Sequence, residues 1–404
     1  MSQFDFDTEI NRESTDSVKW EFHVHSGKAE YWDDTKAERG ADRVLAMWVA
    51  DMDFRCPEPV IDALRSRVEH GLFGYSAKGQ AYEDAVCGWF ARRQNWAVKP
   101  EWLSPIPGVV PALNVAVRAF TQPGDKVIVQ RPVYYPFFRV SKNNGCEIVS
   151  NGLIYQDGRY SIDFDDLEQK AADPKAKMLI LCSPHNPIGR VWTAEELTRI
   201  AEICARNRVI VIADEIHGDL IMPGETFVPF ATLGEAAEQN CVVCTAPSKT
   251  FNLAGMHTSN LFIPNPELRD RFTTAQAAQS LPGMNPFGIT ATIAAYNEGE
   301  PWLDAVMAYI TDNAKLVMDT FATQEPRVRP IMPQGTYLQW LDCRALGLGK
   351  DALEDLMINK AKVYFDEGYI FGDEAIGFER INIACPRPLL KRALDRMIAA
   401  MKTV

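Results

Sequence analysis

The chain has 404 residues, of which 47% are apolar and 24% are charged, and its formal net charge is −12. This length exceeds what one compact core usually holds, so the sequence predicts two domains. The acidic balance and the lack of a long basic run argue against nucleic acids and anionic membranes as partners. The apolar runs are all too short to span a bilayer.

Cysteine and histidine usage indicates the compartment and argues against a metal. The nine cysteines are scattered, odd in number and accompanied by no export signal, so we expect a reducing cytoplasm. Cys241 and Cys244 have the spacing of a metal or redox pair. In a strand, however, positions three apart point to opposite faces, and we interpret both as core residues. His23-x-His25 lacks a third ligand type nearby, so no metal is predicted.

Residues 1–54 are predicted to form an N-terminal arm that packs with a small domain. Residues 1–45 are polar and weakly periodic, and the compact apolar stretch 44–54, which contains two aspartates near its end, follows them. From Pro57 apolar residues recur every four positions, which predicts a helix. The irregular aromatic loop 71–75 separates this helix from a second amphipathic helix at 80–93.

Strands and helices alternate between residues 105 and 264. Apolar runs predict strands at 126–130, 177–182, 209–213 and 241–244. One predicted helix opens at Pro107 and runs to Phe120, and another begins with the capping-box residues Thr193 and Glu196. Short apolar strands separated by helices indicate an α/β fold whose mostly parallel sheet is covered by helices on both faces.

The rest of the chain predicts a smaller α+β domain at the C-terminal end. The predicted elements are helices over 266–323 with a break at 281–286, a long helix from about 300 to 322, strands at 335–341 and 379–384, and a helix at 388–402. We therefore expect a large domain over 55–295 and a small domain over 296–404.

Each of four predicted strands is followed by a polar or aromatic candidate: Tyr134, Asn186, Asp214 and the pair Ser248-Lys249. Ligands bind beyond the carboxyl ends of the strands in open α/β sheets, so these residues are expected in one site. Alone, the pair fits a Schiff-base lysine, a Ser-Lys hydrolase dyad or an ordinary loop lysine. Desolvation past a buried strand favours the neutral, nucleophilic amine.

Together these groups match what pyridoxal phosphate chemistry needs. The lysine forms a Schiff base with the cofactor, and a carboxylate keeps the ring nitrogen protonated so that the ring accepts electrons. A donor holds the ring oxygen, an aromatic side chain stacks on the ring, and backbone amides at a helix N-terminus hold the phosphate. Gly108, at the start of the helix that runs to Phe120, is the candidate for the phosphate turn.

Three motifs carry a family resemblance: Asn186-Pro187-x-Gly189, Asp214-Glu215 and Ser248-Lys249. The chain resembles a fold-type I pyridoxal-phosphate enzyme of the class I/II aminotransferase superfamily over nearly its whole length. The resemblance implies that Lys249 is the Schiff-base lysine and proton shuttle and that Asp214 pairs with the ring nitrogen. It also implies that Asn186 holds the ring oxygen and that Tyr134 stacks on the ring.

The resemblance extends to the phosphate, the substrate and a second subunit. Further cofactor contacts are implied for Gly108, Val109, Val110, Ser248, His217 and, from the neighbouring subunit of a homodimer, Tyr75. Arg380 matches the arginine that clamps the substrate α-carboxylate, a bidentate role suited to guanidinium. Asn186 and Ala50 are also expected beside the substrate.

Two stretches narrow the resemblance to the cystathionine β-lyase-like branch of cysteine C–S lyases. Residues 47–54 and 214–220 match that branch, in which a histidine, here His217, replaces the tyrosine of many aminotransferases. The implied reaction is an α,β-elimination on a sulfur amino acid that gives a thiol, pyruvate and ammonia. The alternatives are an aminotransferase with the same residues and, from another class, a cofactor-binding regulator with little turnover.

The sequence also departs from the family pattern at the phosphate. His257 stands where many relatives carry an arginine, and Ala246 stands where a serine or threonine is common. The stretch 108–110 lacks hydroxyl groups. Phosphate binding is therefore expected to depend on backbone amides, Ser248 and Tyr75.

Overall fold

The computed structural model describes residues 4–25, 28–32, 43–281 and 283–404. Parts of the predicted N-terminal arm, Pro282 in the predicted helix break and the side chain of His25 lie outside what is described. The elements of the arm are α1 (Val18–Glu21), β1 (Phe22–His25), β2 (Lys28–Tyr31) and β3 (Leu45–Ala46). Among the described residues, no helix has the length and apolar character needed to cross a bilayer.

The central part of the chain alternates helices and strands. Its helices are α2 (Glu58–His70), α3 (Gln80–Gln94), α4 (Val109–Phe120), α5 (Pro136–Asn143), α6 (Phe164–Ala171), α7 (Ala194–Asn207), α8 (Glu235–Glu238), α9 (Pro247–Thr250), α10 (Pro266–Ala278) and α11 (Pro286–Glu298). Its strands are β4 (Leu103–Ile106), β5 (Lys126–Val129), β6 (Glu147–Ser150), β7 (Ile154–Gln156), β8 (Arg159–Ser161), β9 (Ala176–Cys182), β10 (Ile210–Asp214), β11 (Cys241–Thr245) and β12 (Ser259–Phe262).

Seven of these strands form one sheet in the order β4-β12-β11-β10-β9-β5-β6. The neighbours from β11 to β6 are parallel, whereas β12 runs antiparallel to β11 and β4. The mostly parallel sheet is therefore confirmed, and the four predicted strands are β5, β9, β10 and β11. The other three strands of this sheet were not expected from the sequence.

Both faces of the sheet are covered by apolar packing. Along β11, Cys241 and Val243 belong to one core cluster, and Val242 and Cys244 belong to another. This alternation is that of a strand buried on both faces. It confirms that Cys241 and Cys244 are core residues that point to opposite sides of the sheet.

The helices that cover the sheet begin close to the residues at which the sequence predicts their N-termini. The predicted capping box is present at α7, where Thr193 accepts from the Glu196 backbone and Glu196 accepts from the Thr193 backbone. These two bonds satisfy donors that the first helical turn leaves free. The helix predicted from Pro107 is α4, which starts two residues later.

A second sheet is built from the C-terminal part of the chain. Its elements are α12 (Glu300–Gln324), β13 (Arg329–Ile331), β14 (Leu338–Asp342), α13 (Lys350–Asp355), β15 (Val363–Tyr364), β16 (Asp366–Glu367), β17 (Phe378–Asn382) and α14 (Arg387–Met401). Four strands pair antiparallel in the order β13-β14-β17-β16. The division into domains at 54/55 and 295/296 stays a prediction.

The N-terminal arm pairs with the C-terminal part of the chain and is held together by ion pairs of its own. β3 pairs in parallel with β15. Lys19, which is fully buried, lies 2.7 Å from the Asp53 carboxylate, and Arg12 bridges Asp51 and Asp53 at 2.7 and 2.9 Å. A buried lysine needs such partners, because removing an ammonium from water is costly. The arm therefore holds the loop that follows β3 in a defined place.

Candidate active site

Three adjacent parallel strands deliver the main candidates to one cleft. β9 leads to Asn186, β10 ends at Asp214, and β11 is followed by Lys249 in the short helix α9. The cleft encloses about 740 Å³, including the part that is open to solvent. Its lining residues are Ala50, Gly108, Val109, Val110, Tyr134, Cys182, Asn186, Asp214, Ile216, His217, Ser248, Lys249, Ala254, His257 and Thr258.

Lys249 reaches into this cleft as a desolvated amine. Its Nζ donates a hydrogen bond of 2.6 Å to the backbone carbonyl of Ala50. Burial lowers the pKa of Lys249 to about 8, while the charges of Asp51 and Asp214 act in the opposite direction. A lysine with such a pKa is partly neutral near pH 8, so it is able to accept a proton or attack a carbonyl group.

Asp214 is a buried carboxyl group with few partners. Its Oδ1 accepts from the backbone N–H of Ile216 at 3.2 Å. Burial raises the pKa of Asp214 to about 7, against the lowering effect of that N–H and of Lys249. A cationic group bound beside it would favour the ionised form of this carboxyl group. The site therefore offers a negative charge to a basic nitrogen placed in the cleft.

Asn186 and Arg380 are joined directly behind the cleft. Arg380 Nη1 donates to Asn186 Oδ1 at 2.9 Å, and Nη2 donates to the Trp48 carbonyl at 2.9 Å and to the carboxylate of Asp366. The ring of Phe371 lies 5.0 Å from the guanidinium carbon. Arg380 is 2% exposed, so these contacts keep its charge stable away from water.

Residues 48–51 present a run of backbone carbonyls beside the site, which Ala50 lines, and we call this run the carbonyl loop. Lys249 and the Tyr337 hydroxyl both donate to the Ala50 carbonyl, at 2.6 and 2.8 Å. Asn382 Nδ2 donates to the carbonyls of Val49 and Asp51, each at 2.6 Å. Side chains thus satisfy successive carbonyls that no regular strand or helix pairs.

Two further side chains hold the end of the carbonyl loop and the segment that follows it. Asn252, three residues after the lysine, donates to the carbonyls of Met52 and Phe54 and accepts from the Met52 N–H. Lys19 donates to the Asp51 carbonyl at 3.2 Å. The sequence interpretation missed Asn252, Asn382, Lys19 and Tyr337, although a polar residue such as Asn382 inside a buried strand is a signal that could have been used.

The other end of the cleft is built around the start of α4. Gly108 precedes this helix with φ of 109°, a value that side-chain-bearing residues rarely adopt. Free N–H groups at a helix N-terminus favour an anion. Ser248, His257 and Thr258 line the same cleft, and Thr258 was not expected from the sequence. His257 is exposed and lies in the left-handed region at φ 47°.

Tyr134 and His217 also line the cleft, and their contacts with a cofactor stay a prediction. The Tyr134 N–H donates to the Asn186 carbonyl at 3.2 Å, which ties the ends of β5 and β9 together. His217 is buried and its Nδ1 has no partner. Burial and the nearby cations Lys249 and Arg380 lower the pKa of His217, so the imidazole is neutral.

Two predicted site residues are not among those that line the cleft: Arg380, which contacts the lining residue Asn186, and Tyr75. Tyr75 is fully exposed, in a loop that also exposes Leu72 and Phe73. The sequence assigned it to a neighbouring subunit, and a single chain does not test that assignment. Among the described residues, no group of three His, Cys, Asp or Glu side chains is arranged to hold a metal ion.

Known proteins resemble this chain over almost its full length. The family model described as aminotransferase class I and II matches residues 45–397. Cystathionine beta-lyase PatB of Bacillus subtilis (strain 168) is 43% identical over 396 residues, which are 98% of this chain and 99% of that protein.

Solved structures give the same result for the fold. The crystal structure of cystalysin from Treponema denticola, which contains a pyridoxal 5'-phosphate cofactor, matches with a TM-score of 0.93 at 41% identity and covers 99% of both chains. The pyridoxal-phosphate-bound C-S lyase from Staphylococcus hominis matches with a TM-score of 0.89 at 32% identity, covering 99% of this chain and 98% of that one.

Proposed function

Because the chain belongs to the class I and II aminotransferase family, we propose that it binds pyridoxal phosphate and acts as a carbon–sulfur lyase. The substrate is an amino acid with a sulfur leaving group on Cβ, and the products are a thiol, pyruvate and ammonia. The observation that carries this proposal is the convergence of Lys249, Asp214 and Asn186 on one cleft, with Arg380 bonded to Asn186. The similarity to cystathionine beta-lyase PatB supports the choice of reaction.

The residues present fit the cofactor. Asp214, a buried carboxyl group with one hydrogen-bond donor, suits the ring nitrogen, and Asn186 suits the ring oxygen. The N-terminus of α4 after Gly108, together with Ser248, suits the phosphate. When bound there, pyridoxal phosphate supplies the electron sink that makes the substrate α-proton acidic.

Arg380 and Lys249 have separate roles at the substrate. Arg380 binds the α-carboxylate and so fixes the orientation of Cα. Lys249 takes the proton from Cα as a general base, which its lowered pKa of about 8 permits near neutral pH. The Cβ–S bond breaks and the thiolate leaves. Apart from Arg380, which bonds to the lining residue Asn186, the described lining of the cleft offers no arginine for a second carboxylate.

The decisive experiment offers cystathionine and S-methylcysteine without any 2-oxo acid. We expect free thiol, read with a thiol-specific dye, and pyruvate, read with lactate dehydrogenase, in equal amounts. Alanine, which has no leaving group on Cβ, is the matched control and should give neither product. A requirement for a 2-oxo acid with no thiol release would make the protein a transaminase, and binding of cofactor without turnover would favour a regulatory role.

We also propose a homodimer in the cytoplasm. The loop with exposed Leu72, Phe73 and Tyr75 is an apolar surface of the kind that a second subunit covers. All nine cysteines are free, which supports a reducing compartment.

A further inference from the structure

Arg380 already holds a carboxylate of its own chain. Its Nη2 donates to Asp366 and to the Trp48 carbonyl, its Nη1 donates to Asn186, and its buried Nε has no partner. We propose that Asp366 occupies the position on Arg380 that the substrate carboxylate must take, so that Asp366 is an internal competitor which substrate binding displaces. This inference rests on the proposed role of Arg380 as the carboxylate clamp.

The stereochemistry of the guanidinium group carries the argument. A carboxylate forms two parallel hydrogen bonds along one of two edges, Nη1 with Nη2 or Nε with Nη2. Both edges include Nη2, and both Nη2 hydrogens are already donated, one to Trp48 and one to Asp366. A bidentate substrate carboxylate therefore needs one of these two acceptors to leave.

Asp366 is the acceptor that is able to leave. The Trp48 carbonyl belongs to the carbonyl loop, whose neighbouring carbonyls are fixed by Asn382 and Lys249. Asp366 contacts Arg380 through a side chain that rotates without moving the backbone. The two residues are paired across β16 and β17, which places the carboxyl group beside the guanidinium whenever no other anion is present.

Displacement of Asp366 makes binding depend on pH. Two carboxylates on one buried cation repel each other, and Asp366 is 7% exposed. Burial raises the pKa of Asp366, and the neighbouring Arg380 opposes this effect. When Asp366 loses its contact with Arg380, its pKa rises further. Asp366 therefore takes up a proton as it is displaced. The titratable and charged groups around it are Arg380, Tyr134, Tyr135, Tyr364, Glu367 and Glu379.

The test measures binding of a bare carboxylate to the holoenzyme by thermal stabilisation. Propionate carries the carboxylate without a reactive amine, and propionamide is its neutral counterpart of the same shape. We expect propionate to raise the melting temperature of the wild type at pH 6 and to lose this effect as pH rises to 9, whereas propionamide has no effect. In Asp366→Asn, propionate should bind about tenfold more tightly at pH 8 and with little pH dependence.

A matched control makes the same chemical change at another Asp–Arg pair of the same sheet. Asp342 accepts from Arg344 at 2.8 and 2.9 Å, and Asp342→Asn should leave propionate binding and its pH dependence as in the wild type. Weaker propionate binding in Asp366→Asn, or pH-independent binding in the wild type, would overturn the proposal. If Asp366→Asn does not fold, the pH dependence of propionate binding to the wild type is sufficient to test the proposal.

The outcome is separable from that of the proposed reaction, because propionate binding needs no turnover. If propionate binds as expected but no thiol is released, the role of Asp366 as a competitor is supported and the lyase activity is rejected. Thiol release without the pH-dependent binding rejects the competitor alone.

Discussion

Lys249 illustrates how one side chain obtains its reactivity from its position. It follows a strand that is buried on both faces, and the Ala50 carbonyl is its hydrogen-bond acceptor. A backbone carbonyl is neutral, so it orients the amine without the full pKa-raising effect of a carboxylate partner. The Tyr337 hydroxyl shares this acceptor and fixes its place.

Replacement of Lys249 by alanine should remove most turnover. General-base catalysis is worth about 10²–10⁴ in rate, and we expect a loss of at least that size in pyruvate formation. The variant should still bind pyridoxal phosphate through Asp214 and the N-terminus of α4, although with lower affinity. Lys126→Ala, at a lysine paired with Asp173 outside the cleft, is the control and should keep full activity. Residual activity above a tenth of wild type would argue for another base.

The sequence alone predicted the site residues that come directly after a recognisable strand. Lys249, Asp214 and Asn186 each come directly after an apolar run, and the edge where parallel strands end is a property of the fold class. Tyr337, Asn382 and Asp366 act through partners about 300 positions away or across a strand pair, and no local pattern encodes such a contact. Their roles required the tertiary structure.

At the scale of elements, the Asn382 amide contacts more carbonyls of the carbonyl loop than Lys249 and Tyr337 at Ala50, Arg380 at Trp48 and Lys19 at Asp51, each of which contacts one. Asn382 donates to two carbonyls of the loop and is fully buried. Asn382→Ala should lower the free energy of unfolding by about 2–4 kcal/mol, because the buried Ala384 N–H loses its acceptor and the carbonyls of Val49 and Asp51 each lose one of two donors. Urea denaturation measures this change. Asn359→Ala, at an exposed asparagine that donates to Asp355, should change stability by less than about 0.5 kcal/mol. Equal losses in the two variants would contradict the assigned role.

The pairing of β16 with β17 sets two buried glutamates opposite each other. Glu367 is paired with Glu379, and burial raises the pKa of both carboxyl groups. The charges of Asp366 and Glu354 raise both pKa values further, and Glu367 adds to the rise at Glu379. An unfolded glutamate loses its proton near pH 4.3, whereas the folded pair retains one at higher pH. The folded state thus binds more protons above that pH, so stability falls as pH rises toward 8.

Replacement of Glu367 by glutamine tests this pair. Glutamine cannot ionise, so the variant should be more stable than the wild type at pH 8, and the difference should shrink toward pH 5. Urea midpoints at pH 5, 6.5 and 8 measure the difference directly. Other buried groups, such as Glu215, titrate in both proteins, so their contributions cancel in the difference between the two urea midpoints. A difference that is constant across the pH range would show that the pair does not titrate.

The sheet shows which elements a sequence pattern predicts and which it does not. β5, β9, β10 and β11 are continuous apolar runs, and these were expected. β4 contains Pro105, which is tolerated because β4 lies at the edge of the sheet. β12 opens with Ser259 and Asn260, which are buried and hydrogen-bonded. Pairing with neighbours, rather than local composition, makes these segments strands.

For the whole molecule, the exposed loop with Tyr75 predicts that active sites are shared between two subunits. Mixing Tyr75→Phe subunits with Lys249→Ala subunits should then restore activity, because in a mixed dimer one site carries neither change. Statistical mixing of equal amounts gives about a quarter of wild-type activity per subunit. Each variant refolded alone is the control. No recovery on mixing, with mixed dimers verified by mass, would show that each site is complete within one chain.

The carbonyl loop also has a consequence for synthesis of the chain on the ribosome. Trp48 accepts from Arg380, 332 positions later, and Val49 accepts from Asn382, 333 positions later. At ~5–20 residues per second, translation separates the loop from these partners by on the order of half a minute. Asp214, at the end of β10, and Lys249, just after β11, leave the ribosome well before Arg380. A nascent chain stalled ahead of Arg380 should therefore carry a formed sheet, an open cleft and unpaired carbonyls, the kind of surface that chaperones bind.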